Sequence, residues 1–393
     1  MNQDVRPSAA AEQLVGRDML CFSHDWSGDP LSKTHLMRLL SRNNRVLWVN
    51  SIGYRTPTVS KRDISRAFRK LAVAAQPIRE PEPNIFVLSP LVIPAYGRNW
   101  VRALNRLLLQ MQVKRAMRKL NFQRPINWVF NPAAAIIAGT LGEERVVYYC
   151  VDEYTALNGV SQNNMGELER QLLSRADLVI VSAERLYRVK SAIHSNTHMI
   201  RHGVDFENFR KALEPETQIP EDLRKLPRPV IGYFGLMSSD WFDVPLMAHA
   251  ARSIPEASIV LIGKVTMDMS ELKALPNVHI LGHRPYSSLP AFAKGFDVAV
   301  IPFPISEATL NANPLKAREY LAAGLPVVST AIPEVQALGQ CLIGQDREEF
   351  VQKLRHAIQS PGARRQISES MRPHSWEARL EEVTRHILKI GAE

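Results

Sequence analysis

Residues 311–330 read NANPLKAREYLAAGLPVVST. Pro314 suits the start of a helix, Gly324 suits its C-terminal cap, and Pro326 leads into the apolar run VVST. The spacing predicts a helix from near Pro314 that sets Leu315, Glu319 and Ala322/Ala323 on adjoining turns, with Lys316 and Glu319 close in space. A lysine in the first helical turn can reach a diphosphate as a point charge. A glutamate one turn later can accept hydrogen bonds from ribose hydroxyls. A solvent-exposed Lys–Glu pair explains the same spacing, so the segment alone leaves both readings open. What it does decide is the architecture: helix, glycine turn and buried strand form one α/β repeat.

That repeat recurs on both sides. Upstream, DMLCFS (18–23) reads as a strand, HDWSGDPLSKTH (24–35) as a polar loop, a helical pattern begins near Thr34, and RVLWVNSI (45–52) is the next strand. Further apolar runs follow as NIFVLSP, INWVFNP, RVVYYCVD, ADLVIVSA and HMIRHGVD. After the charged, Pro-containing stretch 214–229 the alternation restarts with PVIGYFGLM, ASIVLIGKV, NVHILGH, DVAVIPF, LPVVST and CLIG. The economical reading is two successive doubly wound α/β units with a connector near 203–229.

Composition agrees. With 393 residues, 45% hydrophobic and 22% charged, the chain has bulk for two cores and is neither disordered nor fibrous. No run of eighteen apolar residues predicts a membrane span. Cys21, Cys150 and Cys341 are too scattered for a disulfide framework or a Cys-based zinc site, which fits a reducing compartment. The N-terminus has no apolar core of a signal peptide, and the tail to about Gly16 is expected to be disordered.

Of the formal net charge of +10, the surplus lies in the first part: residues 1–150 hold 22 Lys/Arg against 10 Asp/Glu, and the remainder holds 27 against 29. Residues 98–124, RNWVRALNRLLLQMQVKRAMRKLNFQR, contain eight basic residues and no acidic one. At helical spacing Trp100, Ala103/Leu104, Leu107/Leu108 and Met111 form an apolar stripe flanked by bases, and KRDISRAFRK (61–70) repeats the theme. This pattern fits docking on an anionic lipid surface. Ordinary helices with a solvated basic face fit it as well. No nucleic-acid motif accompanies the charge, so no nucleic-acid partner is expected.

The order RHGVD (201–205), VIGYFG (230–235), VLIGK (260–264), NVHILGHRPYSSLPAFAKGFDVAVIPF (277–303) and NPLKAREYLAAGLPVV (313–328) resembles the group 1 GT-B nucleotide-sugar glycosyltransferases. The resemblance spans about residues 18–390 and is strongest over 198–335. It implies an α/β fold of two Rossmann-like doubly wound parallel-sheet domains facing across a cleft. After a tail (1–17), residues 18–205 would bind acceptor and 206–374 the nucleotide-sugar. SWEARLEEVTRHIL, within 375–393, resembles the family's final helix, which crosses back to the first domain.

Two features depart from the usual group 1 pattern. Of its two glutamates eight positions apart, Glu319 matches the second while Asn311 stands at the first. The Arg and Lys that often follow the glycine loop are missing from GLMSSDWFD, and the resemblance implies that Lys316 would take over the phosphate contact. This combination, with Met237 in the loop, is similar to the xanthan glucuronosyltransferase branch and to exopolysaccharide and teichuronic-acid glycosyltransferases.

From that likeness come the expected roles. Donor binding falls to Gly235, Met237, His283, Arg284, Asn311, Lys316 and Glu319. Gly235 would allow a close backbone approach, and the N-terminus of the helix after it would favour phosphate; a plain strand-to-helix turn is the alternative. Asp152, just after the strand RVVYYC, matches the branch's catalytic base, since a carboxylate there can take the acceptor hydroxyl proton. Its competing reading is a helix cap. His24 and Asp25 close the first strand and are expected at acceptor or leaving phosphate, and His202 falls at the hinge.

No metal-ligand spacing occurs, so neither metal nor cofactor is expected beyond the donor substrate. The whole reading is a cytoplasmic glycosyltransferase, peripheral on the inner face of the plasma membrane, acting on a lipid-linked or growing glycan in surface-polysaccharide biosynthesis. The rivals are a nucleotide-sugar epimerase of the same fold and a catalytically degenerate assembly partner. An NAD-dependent oxidoreductase is disfavoured, because neither half carries the dinucleotide glycine fingerprint.

Overall fold

The computed structural model describes residues 14–52, 77–93 and 99–390. The basic run 61–70 and the tail ahead of Leu14 lie outside them. The chain forms two compact units: Met1–Arg201 with Arg379–Glu393, and His202–Ala378.

In the first unit the strands are β1 (Asp18–Phe22), β2 (Arg45–Val49), β3 (Arg79–Glu82), β4 (Ile85–Leu88), β5 (Ile126–Val129), β6 (Arg145–Cys150), β7 (Leu178–Val181) and β8 (Thr197–Met199). The sheet order is β3-β4-β2-β1-β5-β6-β7-β8, parallel except for the β3–β4 pair. The longer helices are α1 (Ser32–Ser41), α2 (Asn99–Lys119), α3 (Gln162–Leu173) and α4 (Glu184–Ser191). The apolar runs became strands because a parallel sheet covered by helices buries both faces of each strand. β3 was not expected. Its sequence, REPE, has no apolar period and it lies exposed at the edge, where charge discourages further pairing.

The second unit carries β9 (Val230–Phe234), β10 (Ser258–Ile262), β11 (Val278–Gly282), β12 (Val298–Ile301), β13 (Val327–Thr330) and β14 (Leu342–Gly344). All are parallel, in the order β11-β10-β9-β12-β13-β14. Its longer helices are α5 (Val244–Ser253), α6 (Leu315–Ala322) and α7 (Arg347–Gln359); α8 (Trp376–Lys389) starts in this unit and its residues from Arg379 on belong to the first. The unit's two ends are tied together. Val204 N–H donates to the His374 carbonyl at 2.9 Å, and a Cβ on Gly203 would sit 2.8 Å from the Trp376 ring.

Strand order reverses between β1 and β5 in one sheet and between β9 and β12 in the other. Open α/β sheets take ligands at the carboxyl ends of the strands at such points. At the second, β12 pairs with β9 only through Ile231 and Gly232, so Phe234 extends beyond the ladder. Tyr320 of α6 fills the gap: its hydroxyl accepts from Phe234 N–H at 2.9 Å and donates to the Phe234 carbonyl at 3.4 Å. Helix α6 closes in a Schellman turn, with Leu325 N–H on the Tyr320 carbonyl and Gly324 N–H on the Leu321 carbonyl.

Two glycine substitutions should move stability in opposite directions. A Cβ at Gly232 of β9 would lie 2.1 Å from the Phe296 ring, so Gly232→Ala is expected to cost roughly 3 kcal/mol or more and lower the Tm. At Gly166, inside α3, the nearest atom would be 3.9 Å away, and Gly166→Ala should add about 0.5–1 kcal/mol. Thermal melts of both variants check the pair.

Candidate functional site

The second unit's switch point gathers three of the seven expected donor residues, Gly235, Lys316 and Glu319. Gly235 follows β9 with φ +146°, and Gly263 follows β10 with φ +141°. A Cβ on Gly263 would stand 1.8 Å from the Gly235 carbonyl oxygen, so the two backbones approach as only glycines allow. Lys316 lies against Gly235: a Cβ there would be 2.1 Å from its Cε and 2.6 Å from its Nζ. The ammonium sits 5.7 Å from the Tyr233 ring centroid and 5.6 Å from that of Phe303, within cation–π range of both.

Helix α6 begins after Pro314 with no side-chain cap and no acidic residue in its first turn. Its N–H groups and partial positive charge therefore stand beside the Lys316 ammonium, an arrangement suited to an anion. The helix expected to offer a phosphate site after Gly235 does not do so. It starts only at Val244, and Asp243 caps it, Oδ1 accepting from Leu246 N–H at 2.8 Å. That carboxylate fills the terminus with negative charge and disfavours phosphate there.

One turn beyond Lys316, the Glu319 carboxyl is buried, which pushes its pKa up to about 7. Lys316 draws it back, Asp205 raises it further, and a hydrogen bond with Tyr286 lowers it. Burial likewise lowers the Lys316 pKa, against the opposing pull of Glu319. The pair is thus a desolvated one, and the exposed-pair reading is set aside. Asp205, from RHGVD, and Tyr286 join the site without having been singled out for it.

The other expected donor residues have local duties. Met237 is buried and acts through its backbone, with N–H to the Lys264 carbonyl and carbonyl from Thr266 N–H, both at 2.9 Å; this joins the loops after β9 and β10. Asn311 Nδ2 donates to the Glu307 carbonyl at 2.7 Å, closing the short helix Glu307–Leu310. Arg318 is buried and donates to Asn313 Oδ1 at 2.6 Å, which fixes the loop entering α6. His283 is exposed, whereas Arg284 pairs with Asp222 at 2.8 Å and lies over Phe292. His202 is buried against Trp376, ring centroids 5.9 Å apart.

In the first unit, burial and then the Lys33 charge lower the His24 pKa to about 3, so the ring is neutral. Its carbonyl accepts from Trp48 Nε1 at 2.9 Å, holding the loop after β1. Asp25 Oδ1 accepts from Ser51 N–H at 3.1 Å, so its carboxylate staples that loop to the end of β2. After β6, Glu153 is the cap: it accepts from Thr155 N–H and Oγ1 and pairs with Lys190 at 3.2 Å. Asp152 is thereby relieved of the capping role. Its pKa is raised by burial, opposed by Lys33 and reinforced by Glu153.

Lys33 was missed. It is the second residue of α1, the helix after the switch-point strand β1, just as Lys316 is the second residue of α6 after β12. Burial lowers its pKa while Asp152 and Cys21 pull the other way. Among the described residues no group of three or more His, Cys, Asp or Glu side chains is placed to hold a metal.

This is the GT-B fold, two mostly parallel sheets with a polar, glycine-built site at the switch point of the second. Residues 228–360 match the family described as Glycosyl transferases group 1. The putative teichuronic acid biosynthesis glycosyltransferase TuaH of Bacillus subtilis is 24% identical over 235 residues, which are 56% of this chain and 58% of that protein. Sucrose-phosphate synthase from Thermosynechococcus elongatus superposes with TM-score 0.70 at 16% identity, covering 96% of this chain and 99% of its own. The α,α-trehalose 6-phosphate synthase of Burkholderia multivorans gives 0.69 at 12%, with coverage of 96% and 99%. HepE of Anabaena, solved with UDP and glucose, gives 0.61 at 14%, with 94% and 98%.

The Glu319 shift predicts a pH-dependent stability. The unfolded carboxyl releases its proton near 4.5, but the folded one holds it to about 7, so stability falls as pH rises through that window. Glu319→Gln, which stays neutral, should match the parent at pH 4 and exceed it at pH 8 by on the order of 3 kcal/mol. Denaturant melts at the two pH values measure the difference.

Proposed function

We propose that this chain is a glycosyltransferase that moves a sugar from a nucleotide-diphosphate donor to a lipid-linked or growing glycan acceptor in cell-surface polysaccharide biosynthesis. The observation that carries the reading is Lys316, laid against the Gly235 backbone at the head of an uncapped helix, with buried Glu319 one turn on. A diphosphate needs a fixed cation and oriented N–H donors, and a ribose needs an acceptor beyond them. The UDP complex of HepE favours a uridine nucleotide. Likeness to TuaH supports the polysaccharide role, with a hexosyl or glycuronosyl group transferred at the cytoplasmic face of the membrane.

In the reaction, the acceptor hydroxyl attacks the anomeric carbon of the donor sugar. Asp152 takes the hydroxyl proton as the new C–O bond forms and the bond to the diphosphate breaks. The departing negative charge is met by Lys316 and the N–H groups of α6. A carboxyl raised by burial is a stronger base than an ordinary aspartate, and the Lys33 charge opposes that rise. His24, neutral and fixed beside Lys33, stands with the acceptor side. His283 and the backbone around it meet the nucleobase, and neither metal nor further cofactor is required.

Lys316→Ala should weaken UDP binding roughly ten- to a hundredfold, as loss of a charged hydrogen-bond donor implies. Calorimetric titration with UDP reads this directly, and unchanged affinity removes the donor assignment. Asp152→Asn should leave that affinity intact while cutting turnover by about a hundredfold or more. Parent-like turnover in this variant would exclude Asp152 as the base.

A further inference from the structure

Helix α2 faces water with the wrong side chains. Trp100 is 61% exposed, Leu104 37%, Leu107 58% and Met111 61%. These four recur at helical spacing on a single stripe. The side turned inward holds Val101, Leu109, Val113, Ala116 and Met117, and with them the fully buried amide of Asn105. Asn105 exchanges two 2.8 Å bonds with the backbone of Ile93, and Gln112 binds the backbone of Leu91 at 2.8 and 3.0 Å. The amides that would ordinarily keep a surface helix wet are thus spent on the protein, while apolar side chains are left outside. Leu91 and Ile93 are themselves 39% and 36% exposed.

Further along, the outward stripe changes character. Lys114, Arg115, Arg118 and Lys119 are exposed there, and Asn99–Lys119 contains no acidic residue. Arg102, by contrast, is paired with Glu167 at 2.7 Å. The face is therefore apolar over about 16 Å, from Trp100 to Met111, and cationic over the remaining turns. Among the described residues no helix is long and apolar enough to cross a membrane.

We propose that the outward face of α2 docks on an anionic phospholipid bilayer, with Trp100, Leu104, Leu107 and Met111 among the upper acyl chains and Lys114, Arg115, Arg118 and Lys119 at the headgroups. The occupant follows from the chemistry. A tryptophan at the end of an apolar stripe suits the water–hydrocarbon boundary, and a base cluster without acids is complementary to anionic headgroups. Nucleic acid would answer the charges but leave the apolar stripe in water. This proposal deepens the reading above, since a lipid-linked acceptor presents its glycan at such a surface.

The test uses the full chain and vesicles of phosphatidylglycerol and phosphatidylcholine in sedimentation. The parent is expected to bind mixed vesicles at least tenfold more tightly than pure phosphatidylcholine, with binding weakened by salt. Trp100→Ser combined with Leu107→Ser and Met111→Ser should lose that binding at least tenfold while keeping the parent's Tm and UDP affinity, because the three side chains are exposed. Lys114→Glu with Arg118→Glu should do the same. Binding unaffected by either set overturns the proposal, as does a folded parent that ignores anionic vesicles. So does a parent that self-associates in gel filtration and becomes monomeric in the serine variant, which would assign the face to a second copy. Vesicle binding without any UDP binding would sink the catalytic reading and leave this one standing.

Discussion

A backbone pair without a strand beside it is the constraint on which the second unit turns. Where β9 and β12 part, Phe234 still carries an N–H and a carbonyl aimed at the gap, and leaving them buried and unmet would cost several kcal/mol. Tyr320 meets both with one hydroxyl and packs its ring, tilted by 60°, against Phe234 at 4.5 Å between centroids. That bolt fixes the rotation of α6. Lys316, one turn before Tyr320, then falls over Gly235, and Glu319 falls beside it. Arg318, clamped to Asn313, holds the entry loop so that the first turn of α6 stays open. The site's charges are set by a structural repair to the sheet.

Such placement has an electrostatic consequence. Glu319 is buried near both a lysine and Asp205, and its net shift is upward, so desolvation outweighs the Lys316 attraction. A fold selected for stability alone would place a neutral side chain there. Keeping an acid in that position trades folding free energy for a strong acceptor held without solvent, as binding sites commonly do. The first unit repeats the theme at β1 and β6, where a partly buried lysine and a partly buried aspartate each moderate the other's shift.

Most of the architecture was legible because it rests on local pattern. Strands buried on both faces announce themselves as continuous apolar runs, and Pro314 and Gly324 bracket α6 by their backbone preferences. REPE was invisible as β3, since a charged edge strand carries no period. Lys316 and Glu319 were legible because one helical turn joins them. Asp152 was named only through the resemblance, and its pairing with Lys33 was not legible, because their proximity is made by a sheet rather than by spacing. The N-terminus of α5 was misjudged although Asp243 ahead of Val244 and Pro245 is an ordinary cap signal. For α2 the sequence shows apolar residues on two sides of the helix, and only the inward anchoring of Asn105 and Gln112 tells which side meets water.

The family match, residues 228–360, lies wholly within the second unit, whereas the basic surplus and the exposed stripe of α2 belong to the first. On the proposed function this division has a physical origin. A nucleotide diphosphate is a constant ligand, and any sequence that grips it is held to the same glycine approach, cation and helix start. A glycan on a lipid carrier is not constant, and neither is the membrane that presents it. On that proposal the first unit would meet that side with surface charge, which steers but does not specify, and with a stripe of side chains whose apolar area matters more than their identity. Features of that kind leave little for a family signature to capture. They stay visible in a structure as the wrong residues facing water.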